Sequence, residues 1–128
     1  MQRTALDIYT YRDASLGERI VPNDVVGYSV EALDGSIGKV DDATLDIGGG
    51  TFVVDTGPWI FGKKVMLPAG VIREVDHEDE KIFVNRNKDE IKDSPEFDES
   101  LFEDESYRSE LGSYYGEGGR GYRSWDNV

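Results

Sequence analysis

Val25-Val26-Gly27-Tyr28-Ser29-Val30-Glu31-Ala32 runs into Leu33-Asp34-Gly35-Ser36, and the chain then returns as Ile37-Gly38-Lys39-Val40. The outer runs are rich in β-formers with partial alternation, the pattern of half-buried strands. Asp34-Gly35 between them predicts a two-residue hairpin turn, because both central positions of such a turn need positive φ. Gly38 inside the return strand predicts a bulge or a close backbone approach.

Moving outward, the same reading extends the second strand through Asp41 to Ile47, with Gly48-Gly49-Gly50 as a flexible turn. The three glycines are read as a hairpin turn and not a phosphate cradle, since no helix and no Gly-Lys-Ser/Thr follow. Thr51–Thr56 is a third strand, and Val65-Met66-Leu67-Pro68 a short fourth one, ended by a proline that an interior strand would reject. Val71–Asp76 and Lys81–Asn85 are the fifth and sixth, separated by the acidic turn His77-Glu78-Asp79-Glu80. Six short, closely spaced strands predict a small antiparallel β-barrel, mainly β, with short helical turns and extended terminal segments. Lys88–Asp93 is compatible with one helical turn, stopped by Ser94-Pro95.

Three regions follow: an N-terminal extension over 1–21, a barrel domain over 22–98, and an acidic, aromatic-rich tail over 99–128. The formal charge of −13 is spread unevenly: the extension is neutral, residues 22–92 carry fourteen acids against eight bases, and residues 93–128 carry ten against three. Such a surface repels nucleic-acid phosphates and anionic lipid headgroups, so direct nucleic-acid binding is not expected. No apolar run reaches the length of a membrane span, and Met1–Asp7 lacks the apolar core of a signal peptide; a cytoplasmic location is expected. There is no cysteine and one histidine, His77, which removes disulfides, thiolate metal sites and most histidine-based catalysis.

Val26–Val30 with Asp34–Val40, then Val65–Pro68 with Val71-Ile72, then Lys81–Val84 with Ile91–Phe97, resembles the PRC-barrel domain family, over about residues 22–98. The string Asp34-Gly35-Ser36-Ile37-Gly38-Lys39-Val40 is its most specific part. Gly27, Asp34, Gly35, Gly38, Lys39 and Pro68 carry the resemblance. The Gly57–Leu67 stretch and the Tyr-rich end look like stand-alone bacterial members, particularly actinobacterial ones. The resemblance implies a small barrel used for protein–protein contact and not for chemistry. The family includes the cytoplasmic part of the photosynthetic reaction-centre H subunit and the C-terminal domain of a ribosome maturation factor.

The candidate sites are therefore binding features. Trp59-Ile60-Phe61, followed by Lys63-Lys64, places aromatic anchors beside cations, as binding hot spots do; the competing reading folds this loop back as a plug on the barrel. Glu78-Asp79-Glu80, Asp41-Asp42 and Glu103-Asp104-Glu105 read as solvated surface, and no EF-hand spacing is present. His77 reads as a solvated side chain in a charged turn. The tail, with Tyr107, Tyr114, Tyr115 and Tyr122 among acids and glycines, is expected to be flexible or to dock on the barrel or a partner. No catalytic residue, cofactor or metal site is expected. The expected function is a non-catalytic protein–protein interaction or adaptor module that self-associates as a homodimer. The alternative is an accessory factor in ribosome maturation or RNA processing that acts through a protein partner.

Overall fold

The computed structural model of the chain describes residues 8–45, 50–57, 63–101 and 104–123. Two short helices, α1 (Ala14–Arg19) and α2 (Pro22–Val25), precede six strands. These are β1 (Ser29–Ala32), β2 (Gly35–Val40), β3 (Thr51–Asp55), β4 (Lys64–Pro68), β5 (Ile72–Asp76) and β6 (Lys81–Val84). Helices α3 (Lys88–Lys92) and α4 (Glu105–Tyr115) follow.

The strands form one mixed sheet in the order β4-β3-β2-β1-β6-β5. The expectation of an antiparallel barrel is corrected in one pairing: β1 and β6 run parallel, with Val30 opposite Ile82. The reason is connectivity. The β5–β6 hairpin is inserted with β6 inward, so the strand reaching β1 points the same way as β1. Within the described pairings the sheet is a half-barrel, with β4 and β5 as its two edges.

Chain length forces the curl. A flat sheet would hold β4 and β5 about 24 Å apart, at about 4.8 Å per strand. Only the 3-10 turn Ala69–Val71 joins them, a reach of at most about 14 Å from Pro68 to Ile72. The sheet must roll until those ends meet. Pro68, opposite Thr51 at the end of edge strand β4, stands where a missing N–H costs no interior ladder bond.

The β1–β2 hairpin differs in detail from its sequence reading. Ala32 pairs with Gly35, so the two-residue turn is Leu33-Asp34 and Gly35 is the first residue of β2, at φ +146°. The Asp34 side chain reaches away from the turn. Its Oδ1 accepts the Lys88 N–H at 2.8 Å, tying the hairpin to α3. Gly38 does what a strand glycine implies. The register slips beside it, Val30 facing Gly38 and Glu31 facing Ser36, with Ile37 as the extra, buried residue.

Two strands are shorter than their sequence reading. Residues Pro22–Val25 make a helical turn with proline at its first position, so β1 starts only at Ser29. The second strand stops at Val40, because the Asp41 carboxylate accepts the Ala43 N–H at 2.8 Å and starts a 3-10 turn over Asp42–Leu45. Thr44 then stands in for a strand: its Oγ1 accepts from Val53 N at 2.7 Å.

A single buried cluster joins the sheet to both terminal regions. Leu16, Ile20 and Val25 enter it before the sheet, and Tyr107, Leu111 and Tyr115 after it. β3 is buried from Thr51 to Val54 on both faces, with the Tyr11 ring edge-on to Phe52 at 6.4 Å. Lone six-strand sheets of this size bury little core, and the extensions add to it. They also shield the open edges. Arg19 Nη2 donates to the Val75 carbonyl of β5 at 2.7 Å, and Phe97 bridges to Lys64 at the start of β4.

Candidate functional site

The aromatic loop expected from the sequence to bind a partner, Trp59-Ile60-Phe61, lies outside the described residues. Its two cations do not, and both are paired within the chain. Lys63 Nζ stands 3.1 Å from Glu96, with both side chains about half exposed, and Lys64 Nζ stands 3.1 Å from Asp41. The Asp41 pair is the better sheltered of the two. Burial pushes its carboxyl pKa up, but the Ala43 N–H and the Lys64 ammonium outweigh that and hold it below the ordinary value.

Of the remaining signature residues, Gly27 sits at φ +89° and donates its N–H to Val40, closing the entry to β1. Lys39 stands opposite Asp55 across β2 and β3, a cross-strand pair of opposite charge. These positions shape the sheet. Asp55 is in turn opposite Lys64 across β3 and β4, so Lys39 and Lys64 flank one carboxylate on the same face of the sheet.

Three places carry concentrated polar chemistry. The first is His77, whose sequence reading as a freely solvated side chain is revised. Both ring nitrogens are engaged: Nε2 with the Arg19 carbonyl at 2.5 Å, Nδ1 with the Tyr28 hydroxyl at 2.7 Å. A carbonyl only accepts, so Nε2 carries the proton and Nδ1 accepts from Tyr28. Burial, reinforced by Glu80, Asp24 and Asp76, raises the Tyr28 pKa and keeps that donor protonated. Arg19, Glu74, Val75, Asp76, His77 and Phe83 line an open depression of about 420 Å³ beside this corner.

The second is an open depression of about 370 Å³ between the segment after α3 and the first turns of α4. Pro95, Leu101 and Tyr107 are its apolar part, and Glu96, Asp104 and Glu110 its acidic part. Asp104 is also the N-cap of α4, accepting the Tyr107 N–H at 2.9 Å.

The third is internal. Arg86 is 1% exposed, with Nη1 donating to its neighbour Asn85 O at 2.6 Å and Nη2 to Tyr115 O at 3.1 Å, over the Tyr115 ring. Burial lowers its pKa, partly offset by Tyr115 and Glu90. Among the described residues, Arg86 Nε and both amide atoms of Asn85 have no hydrogen-bond partner. Glu90 extends the cluster: its carboxylate takes the Arg123 guanidinium at 3.2 Å and its carbonyl the Tyr114 hydroxyl at 2.5 Å.

Sequence reasoning did not single out Arg86. A lone arginine after a strand carries no local signal of burial; only the arrival of α4 from far along the chain seals it. Among the described residues no three His, Asp or Glu side chains stand together as metal ligands. No helix of the described residues is long and apolar enough to cross a membrane. The chain matches no family model and no curated protein.

Proposed function

We propose that this chain is a non-catalytic protein-interaction module of the PRC-barrel kind, which docks through its outer surface onto a protein partner and self-associates. The observation that carries the reading is the filled interior of the rolled sheet. Val30, Ile37, Val53, Met66, Leu67, Ile72, Ile82 and Val84 are all buried to within a few per cent. Small barrels packed in this way hold side chains where a larger one would hold a substrate, leaving the exterior for recognition. The carboxylates that would have to line an enzyme cleft have other employment: Asp41 pairs with Lys64, and Asp55, exposed, holds the Gly57 N–H.

Self-association stands on narrower ground than the aromatic content suggests. Tyr9, Tyr11, Tyr107, Tyr114 and Tyr115 belong to or pack on the chain's own core. The described residues show only scattered exposed apolar side chains, Val21, Leu33, Leu45 and Tyr122. The Trp59–Phe61 segment remains as the proposed self-contact. Light scattering on the full chain and on Trp59→Ala tests it. A dimer for the full chain that dissociates in the variant supports the proposal, and a monomer at tens of micromolar removes self-association from it. The docking half is tested by affinity capture at low salt, where a stoichiometric protein partner is expected.

A further inference from the structure

Residues 8 and 9 sit in a slot with glycine on both sides. On the sheet side, Gly70 donates its N–H to the Ile8 carbonyl at 2.7 Å, and a Cβ on Gly70 would strike that carbonyl. A Cβ on Gly50 would likewise strike the Tyr9 carbonyl. On the other side is α4. A Cβ on Gly112 would lie 3.3 Å from Tyr9 Cε2 and 3.5 Å from Ile8 Cγ2. The Tyr9 hydroxyl donates to Arg108 O at 2.7 Å, and the Arg108 guanidinium stands 4.4 Å above the Tyr9 ring. The N-terminal segment is thus wedged between the sheet and the tail helix, and its backbone approaches as closely as it does only because no side chain stands in the way.

The other polar ties of α4 run through side-chain tips to loops and α3: Tyr107 to Pro95 O at 3.1 Å, Tyr114 to Glu90 O, and Arg86 to Tyr115 O. What they seal is Arg86, a cation in an acidic molecule, under a Tyr115 ring that is itself fully buried.

We propose that the two terminal regions form a latch, with Ile8-Tyr9 as its bolt: withdrawing the bolt releases α4 from the sheet and uncovers Arg86, while the six strands stay folded. The apolar hold of α4 on the core is one stripe of three buried side chains, Tyr107, Leu111 and Tyr115, and terminal elements held by so short a stripe are among those that open below the global unfolding free energy. The latch couples Ile8-Tyr9 to the accessibility of the Arg86 guanidinium, far along the chain.

Hydrogen exchange on the full-length chain tests this, reading α4 and the six strands separately. The informative variant is Gly112→Leu. Leucine is a far better helix former than glycine, so a helix that docks independently gains protection. If the slot matters, the leucine expels Tyr9. Protection over Glu105–Tyr115 then falls by about tenfold or more, and the strands keep theirs. A second variant, Tyr9→Phe, removes only the hydroxyl bond and guards against general misfolding; α4 protection is expected to fall roughly threefold to tenfold. Unchanged or increased α4 protection in Tyr9→Phe overturns the proposal. So does an equal loss over α4 and the strands, because the regions would then open as one unit.

Discussion

A Cβ on Gly38 would collide with the Asp55 carbonyl and crowd Thr56 Cα on the neighbouring strand, at a φ of +143° that side chains resist. Both penalties act at once, so Gly38→Ala is expected to cost about 3 kcal/mol or more, read as the denaturation midpoint at constant m-value. Asp41 offers a pH-dependent counterpart. Its folded pKa is lowered, so it contributes stability that is present above the unfolded carboxyl value of about 4 and is lost as pH falls through the folded value. Lys64→Met removes one cause of that shift. A loss of about 1 kcal/mol is expected at pH 7, shrinking as pH falls through the folded Asp41 value and the carboxylate protonates; a loss constant with pH would assign the effect to lysine packing instead.

At the scale of elements, α3 is the most self-contained. Asn87 caps it by accepting the Glu90 N–H at 2.9 Å, and the Glu90 carboxylate returns the bond to Asn87 N at 2.8 Å. Asn87→Ala is expected to cost about 1 kcal/mol, read as the denaturation midpoint, and an unchanged midpoint would argue against the cap. This element was legible because its signals are local: a short polar run, then Ser94-Pro95 as a stop. The β1–β2 hairpin and Gly38 were legible for the same reason, although the turn slid by one residue because Asp34 serves Lys88 in place of the turn backbone. The parallel β1–β6 pairing was not legible. Alternation reports which face of a strand is buried, and it says nothing about the direction of a neighbour some fifty residues away. Helix α4 left a fainter trace in the sequence: Tyr107, Leu111 and Tyr115 repeat every four residues behind the Asp104 cap. The tyrosines and the many surrounding acids mask that stripe. Lys63 and Lys64, singled out in the sequence as contacts for a partner, pair within the chain with Glu96 and Asp41, which are distant in sequence and invisible to local patterning.

For the whole molecule, a formal charge of −13 on 128 residues is the dominant long-range force. Self-repulsion opposes the compact state, and salt screens it over a Debye length of about 10 Å at 0.1 M. Raising sodium chloride from about 0.01 M to about 0.3 M is therefore expected to raise Tm by a few degrees, measured by circular dichroism. A fall in Tm would mean that ion pairs such as Lys64–Asp41 outweigh the repulsion. The same charge shapes the functional proposal, in which the acidic exterior around a filled interior is the surface offered to a partner. The most direct test of that proposal is the mass, by light scattering, of the complex captured at low salt from the native cell. A particle clearly heavier than the 14.3 kDa chain, containing a second copy or a stoichiometric protein partner, is the predicted result. A 14.3 kDa monomer recovered alone at tens of micromolar would contradict it.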